Sequence, residues 1–399
     1  MIRVLLVIDG LRFGGAENVL VTLASYAKAA GIEPRVAVLA PASGGRDRWL
    51  PALRRAGLDP RFLGIERLAQ PDGVSRVAAA IRASRCDIVH AHLEDASTLV
   101  PVAAALARRP AVCTLHHVPE PALDRRTAVR ERLAVRLASR TRGLIFVSAA
   151  SRRGFADRYG DDPRTWTVIP NGVDLRRFTP APPYGAPAVR AGLGLPPGAP
   201  VATVIGHMRH GKGHDTALDA WPAVLAAHPD ARLLLVGDGP GMPALRRRAA
   251  DLGVAGRVVF AGARDDMPDV LRASDLVLLP SRIEALPTVL VEAAACGVPA
   301  VATRVGGVPE VVADGETGWL FAPPPGPDAT ARAVRAALDL RRTDPARFAA
   351  VGRAARARAR TRFDAGVWAD RLATAYRAAV AGHRLGRHPF RTDPGEAPP

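Results

Sequence analysis

VATVIGHMRHGKGHDTALDAWPAVLAA, residues 201–227, passes from a short apolar run through a turn punctuated by Gly206, Gly211 and Gly213 into a helix-like run. Strand, glycine turn and helix in that order open a βαβ unit, the building block of a parallel sheet. Gly206, Gly211 and Lys212 have the spacing of a phosphate-binding P-loop, yet Gly213 stands where that loop needs a Ser or Thr hydroxyl to hold Mg²⁺. The turn is therefore either a triphosphate loop without its metal ligand or a phosphate grip of another kind.

The same alternation fills the chain. Strand-like runs at 3–8, 34–40, 87–92, 111–117, 143–148 and 165–170 are separated by amphipathic stretches such as 16–30, and a second series follows at 201–206, 232–238, 257–262, 275–281 and 299–306. Helices are expected over 214–227, 242–252, 266–273, 287–296 and 328–342. The class is α/β, with two parallel-sheet domains facing across a cleft, 1–178 and 201–362. A Pro- and Gly-rich linker is expected over 179–200, a late helix over 363–382 and a disordered tail over 383–399. Ligands of such sheets bind beyond the carboxyl ends of the strands.

Composition narrows the class. The 399 residues are 48% hydrophobic and 23% charged, which suits a full globular core. No apolar run approaches the ~18 residues of a membrane span, and MIRVLLVIDG reads as a first buried strand rather than a signal peptide. Cys86, Cys113 and Cys296 are far apart in apolar runs and read as reduced packing residues, which places the protein in the cytoplasm. The net charge of +17 comes from arginines scattered along the chain, with no nucleic-acid motif among them. The densest basic stretch, RRTAVRERLAVRLASRTR at 125–142, carries Val129, Leu133, Val135 and Leu137 partly on one helical face. It is either a solvated helix face or a peripheral contact with anionic lipid at the inner membrane face.

The strongest chemical signal lies in SRIEALPTVLVEAAACGVP, 281–299. Pro287 suits the first turn of a helix and Gly297 its C-terminal end, so the free N–H groups of that helix are aimed at an anion. Glu284 precedes the helix and Glu292 lies more than a turn inside it, too far apart for a tight acid–base pair. Two separated carboxylates beside an anion site suit a long ligand with hydroxyls at both ends, such as a nucleotide-sugar. Lys212 and Arg209 supply positive charge for phosphate. GLRFGGAEN, 10–18, opens a helix after the first strand, placing Gly14 and Gly15 as a further close approach. Neither this segment nor GDGPGM at 237–242 completes a G-x-G-x-x-G fingerprint, which argues against a nicotinamide cofactor. His90 and His92 share a strand face, and His116 and His117 end another strand. No third ligand fixes a metal site, and His116 is the candidate for sugar contact or proton transfer. Asp265, Asp266 and Asp269 read as a helix N-terminal turn.

Taken in order, GGAE (14–17), DIVHAH (87–92), TLHH (114–117), VIPNGVDLRRF (168–178), the 206–213 turn, LLLVGDGP (233–240), the two-glutamate segment and GGVPEVVADGETGWLF (306–321) resemble the retaining glycosyltransferases of the GT-B fold, glycosyltransferase family 4 and the glycosyl transferases group 1. The resemblance spans about residues 1–380. It implies two Rossmann-like domains, a C-terminal helix crossing back to the first, and a nucleotide-sugar donor with no metal and no cofactor. It implies that Lys212 holds the donor diphosphate, with Gly206 and a basic residue beside it. Glu284 would bind the transferred sugar and Glu292 the ribose. Backbone around Leu286, Pro287 and Thr288 would cradle sugar and phosphate, Gly15 would let the first domain close, and His116 would sit near the reacting sugar. Two positions depart from the family: His207 replaces the usual Arg, leaving Arg209 as substitute, and Ala285-Leu286 replaces Gly and an aromatic. The acceptor is a glycan, a lipid-linked saccharide or a small molecule, and nucleic acid is not a partner. The rival readings are a sugar-nucleotide epimerase on the same fold, a P-loop-like NTPase or nucleotide-dependent regulator, and a non-catalytic sugar-binding module.

Overall fold

The computed structural model describes residues 1–11, 14–43, 47–119, 124–181, 186–209 and 211–384. The chain divides into two compact units, Met1–Gly172 with Ala365–Pro399, and Val173–Asp364.

Unit 1 contains β1 (Ile2–Ile8), α1 (Gly15–Ala27), β2 (Ile32–Val38), α2 (Leu50–Arg55), β3 (Arg61–Phe62), α3 (Gly73–Ser84), β4 (Ile88–His92), α4 (Glu94–Leu106), β5 (Ala111–Leu115), α5 (Arg125–Ala138), β6 (Leu144–Phe146), α6 (Ala149–Tyr159) and β7 (Trp166–Val168). Its seven strands run parallel in the order β3-β2-β1-β4-β5-β6-β7. Successive residues of β1 serve opposite faces, as the pleat requires. Leu5 and Val7 join a core with Val77, Ile81, Val100 and Phe155. Val4, Leu6 and Ile8 join one with Leu20, Leu23 and the residues Trp368, Leu372 and Tyr376 from the last helix. Both faces are thus covered, which explains why β1 is an unbroken apolar run.

Unit 2 contains α7 (Ala186–Gly192), β8 (Val201–Ile205), α8 (His214–Ala227), β9 (Arg232–Val236), α9 (Met242–Asp251), β10 (Val258–Gly262), α10 (Met267–Ala273), β11 (Leu276–Leu279), α11 (Thr288–Ala295), β12 (Ala300–Thr303), α12 (Val308–Val311), β13 (Gly318–Phe321), α13 (Pro327–Thr343) and α14 (Pro345–Arg362). Its six parallel strands run β10-β9-β8-β11-β12-β13. Leu233 and Leu235 of β9 pack with Trp221 and Val334, and Leu234 and Val236 with Val270 on the other face. The last helix, α15 (Ala365–Arg384), belongs to unit 1.

Several expected boundaries move. The division falls after Gly172 and after Asp364 rather than at 178 and 362. The expected linker is not free chain through to residue 200: α7 occupies part of it, and Leu193 and Leu195 are buried against Val201, Leu234 and Val236. Residues 182–185 of that segment lie outside the described residues, as do 385–399 of the expected tail, while 383 and 384 continue α15. Pro287 is the N-cap of α11 rather than its first residue. Asp266 sits at the N-cap of α10 without capping it, because Arg264 holds its carboxylate at 2.8 Å. The three cysteines are free and buried.

The chain leaves unit 1 at Gly172 and re-enters it at Ala365, and these two strands of chain touch. A Cβ on Gly172 would lie 2.6 Å from the Ala365 Cα and 2.9 Å from the Trp368 Cβ. Gly172→Ala is therefore expected to destabilise unit 1 by about 1–3 kcal/mol through overpacking. Thermal denaturation followed by circular dichroism checks this, and an unchanged Tm would contradict the crossing geometry.

Candidate active site

In each sheet the chain turns from the first strand one way and returns on the other side of it, so a crevice opens between the ends of β1 and β4 in unit 1 and of β8 and β11 in unit 2. In unit 2 the two loops at that point are 206–213 and 280–287, which hold most of the residues singled out from sequence.

The β8–α8 loop is tied down from beneath. Met208 is fully buried; its N–H donates to the Asp238 carbonyl at 2.9 Å, and its carbonyl accepts from Gly241 N–H at 3.0 Å. Gly206 N–H donates to the Val236 carbonyl at 2.9 Å. A Cβ on Gly237, Gly239 or Gly241 would run into the carbonyls of Gly206 or Met208, so the glycines of GDGPG exist to let the neighbouring loop lie on them. At the far end Gly213 is left-handed (φ 75°) and caps α8 without a side-chain hydrogen bond. A Cβ there would enter the Pro280 carbonyl oxygen from the β11–α11 loop. The hydroxyl that a P-loop requires has no room at this position. The loops are also pinned by Arg282 N–H donating to the Gly211 carbonyl at 3.0 Å.

Across this seam Lys212 Nζ meets Glu284 Oε1 at 2.7 Å, with side-chain exposures of 28% and 9%. Sequence gave these residues separate ligands; the fold makes them an ion pair. Glu284 is held by its own backbone. Its carbonyl accepts from Gly307 N–H at 3.2 Å, and a Cβ on Gly306 (φ 48°) would overlap that carbonyl. Gly306 and Gly307 follow β12, so a third loop fixes the backbone that carries the Glu284 carboxylate. The glycine pair at a strand end was the available signal for this role.

Helix α11 starts at Thr288, four residues after Glu284. Its N-cap, Pro287, makes no side-chain cap, and its carbonyl accepts from Leu290 N–H at 3.0 Å. The Pro287 carbonyl is thus engaged within the helix, whereas Thr288 opens the turn whose N–H groups have no intrahelical partner. Leu286 is 7% exposed, Ala285 6%, and Glu292 lies in the second turn, also buried. Ala285 is not among the positive-φ residues, so the backbone here does not demand glycine. Arg209 is exposed, on the rim of a recess of about 410 Å³ bordered by Met208, His214, Asp215, Gly241 and Arg248. The Lys212 ammonium, not Arg209, is the cation paired with Glu284. His207 lies between Gly206 and Met208, partly buried. His214 is 2% exposed, neither ring nitrogen has a partner among the described residues, and burial lowers its pKa to about 4, so it is neutral.

In unit 1 the corresponding point is built differently. Asp9, after β1, accepts from Ala96 N–H at 2.7 Å and Asp95 N–H at 3.2 Å, occupying the N-terminus of α4. Burial, with Asp95 nearby, pushes its carboxyl up to about 8. Gly15 is the first residue of α1, exposed, after an N-cap Gly14 without a side-chain cap. Residues 12 and 13 of that turn lie outside the described residues. His116 directly follows β5, partly buried, and its Nε2 lies 3.0 Å from His92 Nδ1. Sequence placed His90 and His92 on one face but did not show that His92 reaches His116. No group of three or more His, Cys, Asp or Glu among the described residues is placed to hold a metal.

Two parallel sheets with these loops are the units of a GT-B glycosyltransferase. The description "Glycosyl transferases group 1" matches residues 199–340 and "Glycosyltransferase Family 4" residues 13–177. A D-inositol 3-phosphate glycosyltransferase of Mycolicibacterium gilvum is 34% identical over 348 residues, 82% of this chain and 74% of that protein. A GDP-mannose-dependent monoacylated alpha-(1-6)-phosphatidylinositol monomannoside mannosyltransferase of Corynebacterium glutamicum is 37% identical over 238 residues, and the match spans 60% of that protein, less than two thirds of its length. The crystal structure of Anabaena Alr3699/HepE with UDP and glucose superposes with a TM-score of 0.81 at 26% identity, covering 94% of this chain and 98% of that one. The chain belongs to the glycosyltransferases of group 1 and family 4.

The Gly213 geometry yields a test. Gly213→Ser completes the P-loop consensus but places a Cβ against the Pro280 carbonyl. It is expected to create no Mg²⁺-dependent ATPase activity and to weaken nucleotide-sugar binding by at least about tenfold, since 1.4 kcal/mol of strain suffices for that. Isothermal titration and a phosphate-release assay check it; new ATPase activity would restore the P-loop reading.

Proposed function

We propose that this protein is a retaining, metal-independent glycosyltransferase that moves a hexose from a nucleotide-diphosphate sugar to a hydroxyl. The observation that carries the reading is the Lys212–Glu284 pair beside the uncapped N-terminus of α11, at the switch point of unit 2. The donor diphosphate lies against Lys212, whose ammonium has three donors and can serve a phosphate while keeping Glu284. Glu284 accepts from sugar hydroxyls and Glu292 from the ribose. Arg209 completes the positive rim, and His207 lies beside it after Gly206. The first N–H groups of α11 face the charge that builds on the leaving diphosphate, a preorganised electrostatic stabilisation. Metal independence is supported by Lys212 and by the blocked hydroxyl position at Gly213. From unit 1, His116 contacts the transferred sugar.

The named relatives act on D-inositol 3-phosphate and on a phosphatidylinositol mannoside. An inositol-bearing acceptor, free or lipid-linked, is therefore the class we propose, within the wider set of glycans and small molecules. A lipid-linked acceptor fits the outer face of α5. Val129 and Leu133, one turn apart, are 66% and 45% exposed, and Arg125, Arg126, Arg132 and Arg136 are exposed on the same helix. Apolar side chains among arginines suit an anionic bilayer surface. No helix among the described residues is long and apolar enough to cross a membrane.

Lys212→Ala and Glu284→Gln are each expected to lower kcat/KM by about 10- to 100-fold, the value of one charge-assisted hydrogen bond of roughly 1.5–3 kcal/mol. Circular dichroism should stay unchanged. Steady-state assays across GDP-, UDP- and ADP-sugars measure the effect, and NMR of the product fixes the anomer. Full turnover by both variants or an inverted anomer would overturn the reading; conversion of donor without acceptor would favour an epimerase.

Val129→Asp with Leu133→Asp should lower co-sedimentation with phosphatidylglycerol vesicles by about tenfold while leaving turnover on a soluble acceptor unchanged. Equal sedimentation of both proteins would remove α5 from membrane contact.

A further inference from the structure

We propose that His92 is a positioning residue that fixes His116 as the Nδ1–H tautomer, so that His116 meets substrate as a hydrogen-bond donor rather than as a base. The inference rests on the reading that His116 contacts the transferred sugar.

The two rings share one hydrogen bond, His92 Nδ1 to His116 Nε2 at 3.0 Å, with centroids 5.3 Å apart and planes 25° from parallel. Burial lowers the pKa of both below the usual histidine range, so both are neutral and one proton lies between them. Two arrangements are available, because neutral imidazole has one donor and one acceptor. If His116 donated from Nε2, the proton of His92 would sit on its own Nε2. That atom is buried and has no partner among the described residues. A buried orphan N–H is rarer and costlier than a bare acceptor lone pair. If instead His92 donates from Nδ1, its buried Nε2 is only an unused lone pair. His116 then accepts at Nε2 and carries its proton on Nδ1, which has no hydrogen-bond partner among the described residues.

His92 is itself held in place. His90, two residues earlier on β4, packs its ring 4.0 Å from that of His92. Its own two nitrogens are both engaged, Nδ1 with Tyr376 Oη at 2.6 Å and Nε2 with Thr114 Oγ1 at 2.7 Å. Tyr376 is fully buried on α15. A line of side chains thus runs from the last helix through β4 to the end of β5, and its only free hydrogen-bonding atom on His116 is a donor.

The test combines spectroscopy with kinetics. Long-range ¹H–¹⁵N spectra of the histidine-labelled full chain, with His116 identified from its loss in His116→Gln, should show the proton on Nδ1. His92→Leu should lower kcat by roughly tenfold or more while KM for the nucleotide-sugar moves by less than about twofold. His92→Asn, whose amide nitrogen takes the place of Nδ1–H, should restore most of the rate. A proton on Nε2 of His116 in the unmodified protein overturns the proposal, as does full kcat in His92→Leu or an equal loss in His92→Asn. The spectrum requires no turnover, so it decides the tautomer even if the transferase reading fails, and even if His92→Leu does not fold.

Discussion

The Pro280 carbonyl fills the space that a side chain at residue 213 would need, and the Glu284 carbonyl does the same at residue 306. Three loops, after β8, β11 and β12, are pressed together so closely that only glycine fits at the contacts. This close approach brings Lys212 to Glu284 and sets the free end of α11 beside them. It also removes the volume in which a P-loop would keep its hydroxyl. The departure from the P-loop consensus and the carboxylate–ammonium pair therefore share one steric cause.

A similar economy appears at the opposite end of the strands in each sheet. Asp87, just before β4, accepts from Arg3 N–H at 2.9 Å and from the Arg3 guanidinium at 2.8 Å. Asp275, just before β11, accepts from Val201 N–H at 2.8 Å and from Arg190 at 2.8 Å, and Arg341 adds a contact at 2.9 Å. In both units an aspartate at the start of the strand beyond the switch point ties down the start of the first strand. Strand registers fixed there determine where the loops emerge at the other end.

The sheets were legible because their strands are buried on both faces and read as apolar runs. Helix α8 was readable to its ends, 214 and 227, since Gly213 precedes it and His228 leaves helical geometry. The two-residue β3 and the four-residue β13, GWLF, are too short to show an apolar period that can be read. Helix α14 was missed: Arg and Ala dominate it, and its few apolar residues, such as Val351 and Phe348, do not announce a face. The 186–200 segment looked like a linker because its prolines and glycines outweigh Leu193 and Leu195, whose burial only tertiary packing reveals. Lys212, Glu284 and Glu292 were visible by spacing, but the pairing of Lys212 with Glu284 was not. The support of His92 was invisible for a plainer reason: Tyr376 lies 286 residues from His90.

The route of the chain has a consequence for its birth on the ribosome. Val173–Asp364 is one uninterrupted segment, complete once it has emerged. The segment made first must wait, because one face of its sheet is covered by Trp368, Leu372 and Tyr376, which are synthesised only after the whole of unit 2. Domains generally form in order of emergence, but here the later-made unit can close first while the earlier one holds an uncovered apolar surface until α15 has followed unit 2 out of the ribosome.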